Sequence, residues 1–337
     1  MQDVADRAGV SVTTVSRALR ASDLVSAETR ARVLAAAEEL SFAVSRTASS
    51  LATGRLGRIG VVVGGALGAW FNGSVMDGIY ATLRDAGLEL LIFRITTDAE
   101  REQFFATLPA RRNADALIVA SFALTDSEQE RLQDLSMPLV YLNQQVEGAV
   151  SVSIDDVAGA RLGTRHLLNL GHRRLAYAHA DQEGFVYSAS RRVTGFRAEL
   201  AAAGVADYAV LTARSVTDGE HVVGQLLAQP TLPTALMVQS DELAMNVMAA
   251  LWRVGLRTPE DVSVLGFDDH AMAVTFGLST VAQPVDVLGR EAAALAVELV
   301  TAATSDPLSA GARDSRRVVT VPTRLVLRHS TARPAAP

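Results

Sequence analysis

The chain has 337 residues, no cysteine and a formal net charge of −6, and its 31 basic residues are all arginine. That length allows two or more domains with cores of their own, while the absence of thiols excludes disulfides, zinc–thiolate sites and a cysteine nucleophile. No basic-then-apolar leader opens the sequence and no apolar run approaches the roughly 18 residues that span a bilayer, so a soluble cytoplasmic protein with no membrane partner is expected.

Charge is unevenly spread: the first 58 residues carry eight arginines against six acids, the remainder 23 against 31. In that first segment "QDVADRA" sets Val4, Ala5 and Ala8 on one helical face, and Gly9, free to take positive φ, ends it in a tight turn. Ser11 is placed to cap a second helix, "VTTVSRALR", with Val12, Val15 and Leu19 as its apolar stripe. Small Ala5, turning Gly9 and plugging Val15 have the spacing of a helix-turn-helix. The face left over shows Thr13, Thr14, Ser16 and Arg17, hydroxyls and a guanidinium that suit phosphate oxygens and a guanine edge. A third helix, "SAETRARVLAAAEEL", starts at Ser26 with Glu28 in its first turn and Val33, Leu34, Ala37 and Leu40 turned inward. On geometry alone, three amphipathic helices of another small domain remain an alternative.

Beyond residue 58 short β-branched runs alternate with amphipathic helices. "RIGVVVG", "LELLIFR", "DALIVAS", "PLVYLN", "RLAYAH", "TALMVQS" and "DVSVLGF" read as buried parallel strands. "SVMDGIYATLRDAG" and "DELAMNVMAALWRVG" read as helices between them. The fold class is therefore a small all-α head followed by a doubly wound α/β body, whose ligands belong beyond the carboxyl ends of strands. "GGALGAWF" invites a dinucleotide reading, but Gly64, Gly65 and Gly68 miss the G-x-G-x-x-G spacing. "GFDDHAM" sets two carboxylates directly after a strand, too few to converge on a metal. With no G-x-S-x-G elbow, P-loop or H-E-x-x-H pair, neither a catalytic residue, a metal site nor a cofactor is expected.

Three segments, "DVADRAGVSVTTVSRAL", "VSAETRARVLAAAEEL" and "SRTASSLATGRLGRIGVVV", resemble the start of the lactose-repressor (LacI/GalR) family of bacterial transcription regulators. The similarity continues through "GARLGTRHLLNLGHRRLAY", "PEDVSVLGFDD", "STVAQPV" and "VPTRLVLRHS". The resemblance implies a helix-turn-helix head at 1–44, a hinge helix and linker at 45–58, and a periplasmic-binding-protein-like core. Its N-terminal subdomain would be 59–156 plus 284–318, its C-terminal subdomain 157–283 plus 319–330, and 331–337 a tail. Val12, Thr13 and Arg17 would then read the major groove, and Ser11, Thr14, Ser16, Arg20, Ser26 and Thr29 would hold the backbone. Leu51, with Ala52 beside it, would wedge into the minor groove from a hinge at Ser45–Thr53. A segment that short and rich in Ser, Thr and Ala is too brief to be a stable helix in water and would fold on docking.

In the core the resemblance assigns effector contacts to Trp70, Phe71, Asp155, Arg192, Ser240, Asp241, Asp268 and Gln283. Several positions depart from the family pattern: Val44 and Ser45 stand where proline and asparagine are usual, Arg20 where a backbone-contacting asparagine is common, Ser49 where an arginine is frequent, Ser240 replaces an asparagine, and Arg214 lies near a common aromatic. The capping threonine usual before "DVA" is also missing, pointing to a start upstream of Met1. The implied partners are a pseudo-palindromic double-stranded DNA operator, a small-molecule effector of sugar type, and a second copy of the chain. A purine-type ligand or a protein co-regulator stays open. The tail "STARPAAP" has no heptads, so a homodimer without a coiled-coil tetramer is expected.

Overall fold

The computed structural model describes residues 1–19, 24–40, 55–121, 123–180, 188–305 and 317–335, which fall in two units, Met1–Gly57 and Arg58–Pro337. In the first, helix α1 (Gln2–Ala8) stops at Gly9, which takes φ +64° and lets Val10 N–H reach back to the Ala5 carbonyl at 3.0 Å. The hydroxyl of Ser11 accepts from Thr14 N–H at 3.2 Å and opens α2 (Val12–Leu19). That of Ser26 accepts from Thr29 N–H at 3.3 Å and opens α3 (Ala27–Glu39). Val4, Ala5, Ala8, Val15, Ala18, Val25, Val33, Ala36 and Ala37 form the core of this unit, and Arg32 donates to the Ala8 carbonyl at 2.7 Å, closing the end of α1.

Three apolar residues expected inside lie outside: Val12 is 38 %, Leu34 50 % and Leu40 43 % exposed. The inward stripe of α3 is Val33, Ala36 and Ala37, an i, i+3, i+4 set that turns Leu34 about 100° away. In α2, Ala18 takes the inward place beside Val15.

The second unit contains two six-stranded sheets. The first is built from β1 (Arg58–Gly64), β2 (Glu89–Ile95), β3 (Ala116–Ala120), β4 (Leu139–Leu142), β5 (Val150–Ser153) and β11 (Val318–Thr320), in the order β11-β5-β4-β3-β1-β2 and parallel throughout. The second uses β6 (Leu175–Ala180), β7 (Tyr208–Ala213), β8 (Ala235–Val238), β9 (Ser263–Asp268), β10 (Ser279–Ala282) and β12 (Arg324–Val326), in the order β12-β10-β9-β8-β6-β7, antiparallel at β12 alone. The two lobes share one strand order. Each therefore has a switch point, β1/β3 in one and β6/β8 in the other, where loops diverge and leave room for a ligand.

The chain passes between lobes three times. After β5, α8 (Asp156–Asn169) packs on the second sheet and on α9 (Ser188–Ala202). After β10, α12 (Val285–Ser305) returns to pack on α4 (Trp70–Asp85) and the first sheet. Val321–Thr323 then link β11 to β12. The α4–α12 contact is close because Gly78 and Gly289 face the partner helix backbone, where a Cβ on either would collide with the Asp286 or Val75 carbonyl. The remaining α-helices among the described residues are α5 (Asp98–Thr107), α6 (Ala110–Asn113), α7 (Asp126–Gln133), α10 (Gly219–Leu227) and α11 (Asp241–Arg253). Among the described residues, no helix is long and apolar enough to cross a membrane, and no cluster of three or more metal-ligating side chains occurs.

Candidate functional site

The carboxyl ends of the two sheets face one cavity of about 310 Å³. The first lobe supplies Gly64, Gly65, Ala66, Phe71, Asn72, Ser121 and Asn143, and the second Ser188, Arg192, Val216, Gln239, Ser240, Glu242, Asp268 and Gln283. Ser121 and Asn143 are the first residues past β3 and β4, and Gln239 the first past β8. Backbone strain gathers here. Of the five non-glycine residues at positive φ among the described residues, Ser121 (+52°), Asn143 (+57°) and Asp268 (+123°) line this cavity, the kind of position at which strain is held by function.

Arg192, 5 % exposed, is the hub of the wall. Its Nε donates to Asp156 Oδ1 at 2.8 Å, its Nη1 to the Gln239 carbonyl at 2.5 Å, and Nη1 also meets Asp268 Oδ1 at 3.5 Å. The guanidinium lies 3.6 Å over the Phe267 ring, a stacked placement that arginine suits and lysine does not. Gln283 Nε2 donates to Asp268 Oδ1 at 2.6 Å. Burial pushes the Asp268 carboxyl up, against the pull of Arg192 and Gln283, and burial likewise pushes Asp156 up against Arg192.

Of the residues assigned by resemblance, Phe71, Arg192, Ser240, Asp268 and Gln283 share this cavity. Trp70 lines a neighbouring cavity of about 430 Å³ with Asp269, Gln283, Val285, Asp286 and Arg324. Asp155 is exposed and caps α8, accepting from Ala158 N–H at 3.0 Å. Asp241 is fully buried behind the wall, where Oδ1 accepts from the Thr280 hydroxyl at 2.7 Å and Oδ2 from His270 N–H at 2.8 Å. A side chain on Gly266 would collide with that carboxylate. Arg214 is exposed, ion-paired to Asp218 at 2.7 Å, and absent from the cavity wall. Asn72, Ser121, Asn143, Gln239 and Glu242 line the cavity without having been singled out from the sequence.

In the first unit, Ser11, Val12, Thr13, Arg17 and Ser26 are exposed, and Thr14, Ser16 and Thr29 half-buried. The Ser11 and Thr14 hydroxyls are 2.9 Å apart and those of Ser26 and Thr29 3.0 Å apart, each pair at a helix N-terminus, where free backbone N–H groups suit a phosphate. Arg20, Leu51, Ala52 and the hinge expected at Ser45–Thr53 lie outside the described residues.

Fold and site define a two-lobed binding protein that carries a helix-turn-helix unit. Residues 1–45 match the bacterial regulatory proteins of the lacI family, and residues 164–331 match the periplasmic binding protein-like domain. The chain is 33% identical over 305 residues to the HTH-type transcriptional regulator GalS of Salmonella typhimurium, covering 88% of this chain and 89% of that protein. It is 29% identical to the HTH-type transcriptional regulator DegA of Bacillus subtilis, covering 98% of this chain and 97% of that one. Among solved structures it is similar to the lac repressor dimer bound to operator and the anti-inducer ONPF (TM-score 0.84, 27% identity, 98% of each chain). It is also similar to the CelR–cellobiose complex (TM-score 0.69, 28% identity, 98% of each chain). The chain belongs to the lacI family, and it is a DNA-binding transcriptional regulator, not an enzyme.

Proposed function

We propose that this regulator is a cytoplasmic homodimeric repressor whose grip on a pseudo-palindromic operator is switched by a small polyhydroxylated metabolite held between the two lobes. The observation that carries the reading is the cavity of about 310 Å³ at the ends of both sheets, lined by Arg192, Asp268 and Gln283. A volume of that order suits a ligand of sugar size. Its relatives support it: one similar structure is a repressor dimer on operator DNA, another a complex with cellobiose.

In this reading the lobes are 59–156 plus 284–320 and 157–283 plus 321–330, the last crossing falling two residues later than expected from the sequence because Val319 and Thr320 pair with Val152 and Ser153. Val12, Thr13 and Arg17 read bases, Ser11, Thr14, Ser16, Arg20, Ser26 and Thr29 hold phosphates, and Leu51 with Ala52 opens the minor groove. Twofold symmetry of the dimer demands twofold symmetry of the operator. A ligand that favours one arrangement of the lobes by about 1–3 kcal/mol changes operator occupancy several-fold. The test is a thermal-shift screen of wild type and Asp268→Ala against sugars, sugar derivatives and nucleobases. A ligand at about 100 times its dissociation constant adds about 2.7 kcal/mol, a rise of a few degrees. A stabilisation that Asp268→Ala abolishes supports the reading, and one that survives it moves the ligand elsewhere.

A further inference from the structure

Pairing off the polar groups around the cleft leaves a surplus of acceptors and of negative charge. Among the described residues, Arg192 is the one basic side chain lining the cavity, and the bonds of its Nε to Asp156 and its Nη1 to the Gln239 carbonyl hold it within the wall. Asp156 and Asp268 pair with it, and Glu242 lines the same cavity near enough to Asp268 for the two charges to interact. The Glu242 carboxylate is half-buried on the cavity lining, with no hydrogen bond or ion pair among the described residues. Its charge reaches Asp268 and helps push that carboxyl up.

The neutral groups lean the same way. Asn143, Gln239 and Gln283 are 5 %, 7 % and 4 % exposed, and each has an amide oxygen that is buried without a partner. For Asn143 and Gln283 the nitrogen is already committed, to Ser121 Oγ at 3.2 Å and to Asp268 Oδ1 at 2.6 Å. The carboxylate contact fixes which end of Gln283 is the acceptor. Buried acceptors without donors are costly, and because these three side chains line the cavity, a small turn of each amide toward a ligand rich in donors would satisfy them.

We propose that the effector of this cleft is a small polyol bearing an ammonium group, an amino sugar or amino alditol, its cation matched by Glu242 and Asp268 and its hydroxyls donating to the amide oxygens. This rests on the effector-cleft reading above and narrows it. A phosphorylated or carboxylated sugar would bring a further anion to a wall whose carboxylates already outnumber Arg192, its one described cation, and Arg214 does not correct the balance because it lies outside the cavity beside Asp218.

Calorimetric titration of the full-length protein with matched pairs, glucosamine against glucose and likewise in the galacto and manno series, tests this directly. In at least one pair the amine should bind about tenfold or more tightly, equivalent to about 1.4 kcal/mol. N-acetylation of that amine, which removes its charge without touching the protein, should abolish the gain. Glu242→Gln, checked for an unchanged unliganded melting temperature, should collapse the ratio within the pair. Equal binding of amine and neutral sugar, or tighter binding of glucose 6-phosphate, overturns the inference and leaves the cleft reading standing. No binding of any of these polyols at millimolar concentration overturns both.

Discussion

Trp70, the first residue of α4 in one lobe, packs its ring on His270 in the loop after β9 of the other, with centroids 5.1 Å apart and planes at 44°. It is an aromatic contact across the cleft, independent of the hydrogen bonds that line the cavity. Such pairs contribute about 0.5–1.5 kcal/mol beyond area burial. Trp70→Ala should therefore weaken effector binding by roughly two- to tenfold while leaving the selectivity among ligands unchanged, read by titration. A changed order of ligand preference would mean that Trp70 touches the ligand itself.

Arg192 holds Asp156 and Asp268 together where both carboxylates are buried, 3 % and 8 % exposed. Removing the cation alone leaves uncompensated buried charge, at a cost of about 3–5 kcal/mol. Arg192→Ala should lower stability by that order in chemical denaturation followed by circular dichroism. Arg192→Ala combined with Asp156→Asn should recover part of the loss, because the second change removes one of the stranded charges.

The acidic cluster also sets a pH dependence. Burial, reinforced by the charge of Asp268, pushes the Asp241 carboxyl up to about 8, and Asp269 adds to it while the bonds from Thr280 and His270 pull the other way. Asp268 is pushed up to about 6 by burial. A carboxyl raised above its unfolded value near about 4 makes the native state the better proton binder, so its stabilisation is complete below that value and is lost as pH rises through the native one. His166 and His172, pushed down by burial, act oppositely, but only below about pH 6.5. The melting temperature should accordingly fall between about pH 6.5 and 8 and level off above that, and Asp241→Asn should flatten the slope. A slope that persists in the variant assigns the titration to another group.

Arg17 is exposed on α2 beside Val12 and Thr13. If it reads a base edge, Arg17→Ala should cost about 1–3 kcal/mol on the preferred operator and relax the choice at one base pair. Binding to a set of single-base operator variants checks this. A uniform loss over all variants would make Arg17 a phosphate contact.

Much of the architecture is legible in hydrophobic pattern. "RIGVVVG" is β1 from end to end, and the other six quoted runs each cover a strand to within one residue. Those that escape notice have physical reasons to. "VSVS" of β5 and "STVA" of β10 are four residues each, β7 is an edge strand with Tyr208 exposed, and β11 and β12 are three residues each. The membership of β11 and β12 in different sheets depends on pairing with strands far away in sequence, which local composition does not encode.

For the site, the resemblance led to Arg192, Asp268 and Gln283, which do share a wall. Asp155 and Asp241 illustrate the limit: an acid at the start of a helix looks alike in sequence whether it caps, binds or is buried. Asp241 is committed to Thr280 and His270, 39 and 29 residues away. Ser121 and Asn143 carried a usable signal, since "ALIVAS" and "PLVYLN" each end one residue beyond a buried strand, where doubly wound sheets hold ligands.

The lobes are joined only through Ile154–Asp155, Gln283–Pro284 and Val321–Thr323. Tethers this short favour hinge bending at a handful of backbone angles over sliding of one lobe on the other. Occupancy is thereby converted into an angle. Apart from Gln283, which faces the cavity, the tether residues are absent from its wall. Substitutions among them should retune how steeply the regulator responds without altering which molecule it answers to, so that gain and selectivity are free to change separately.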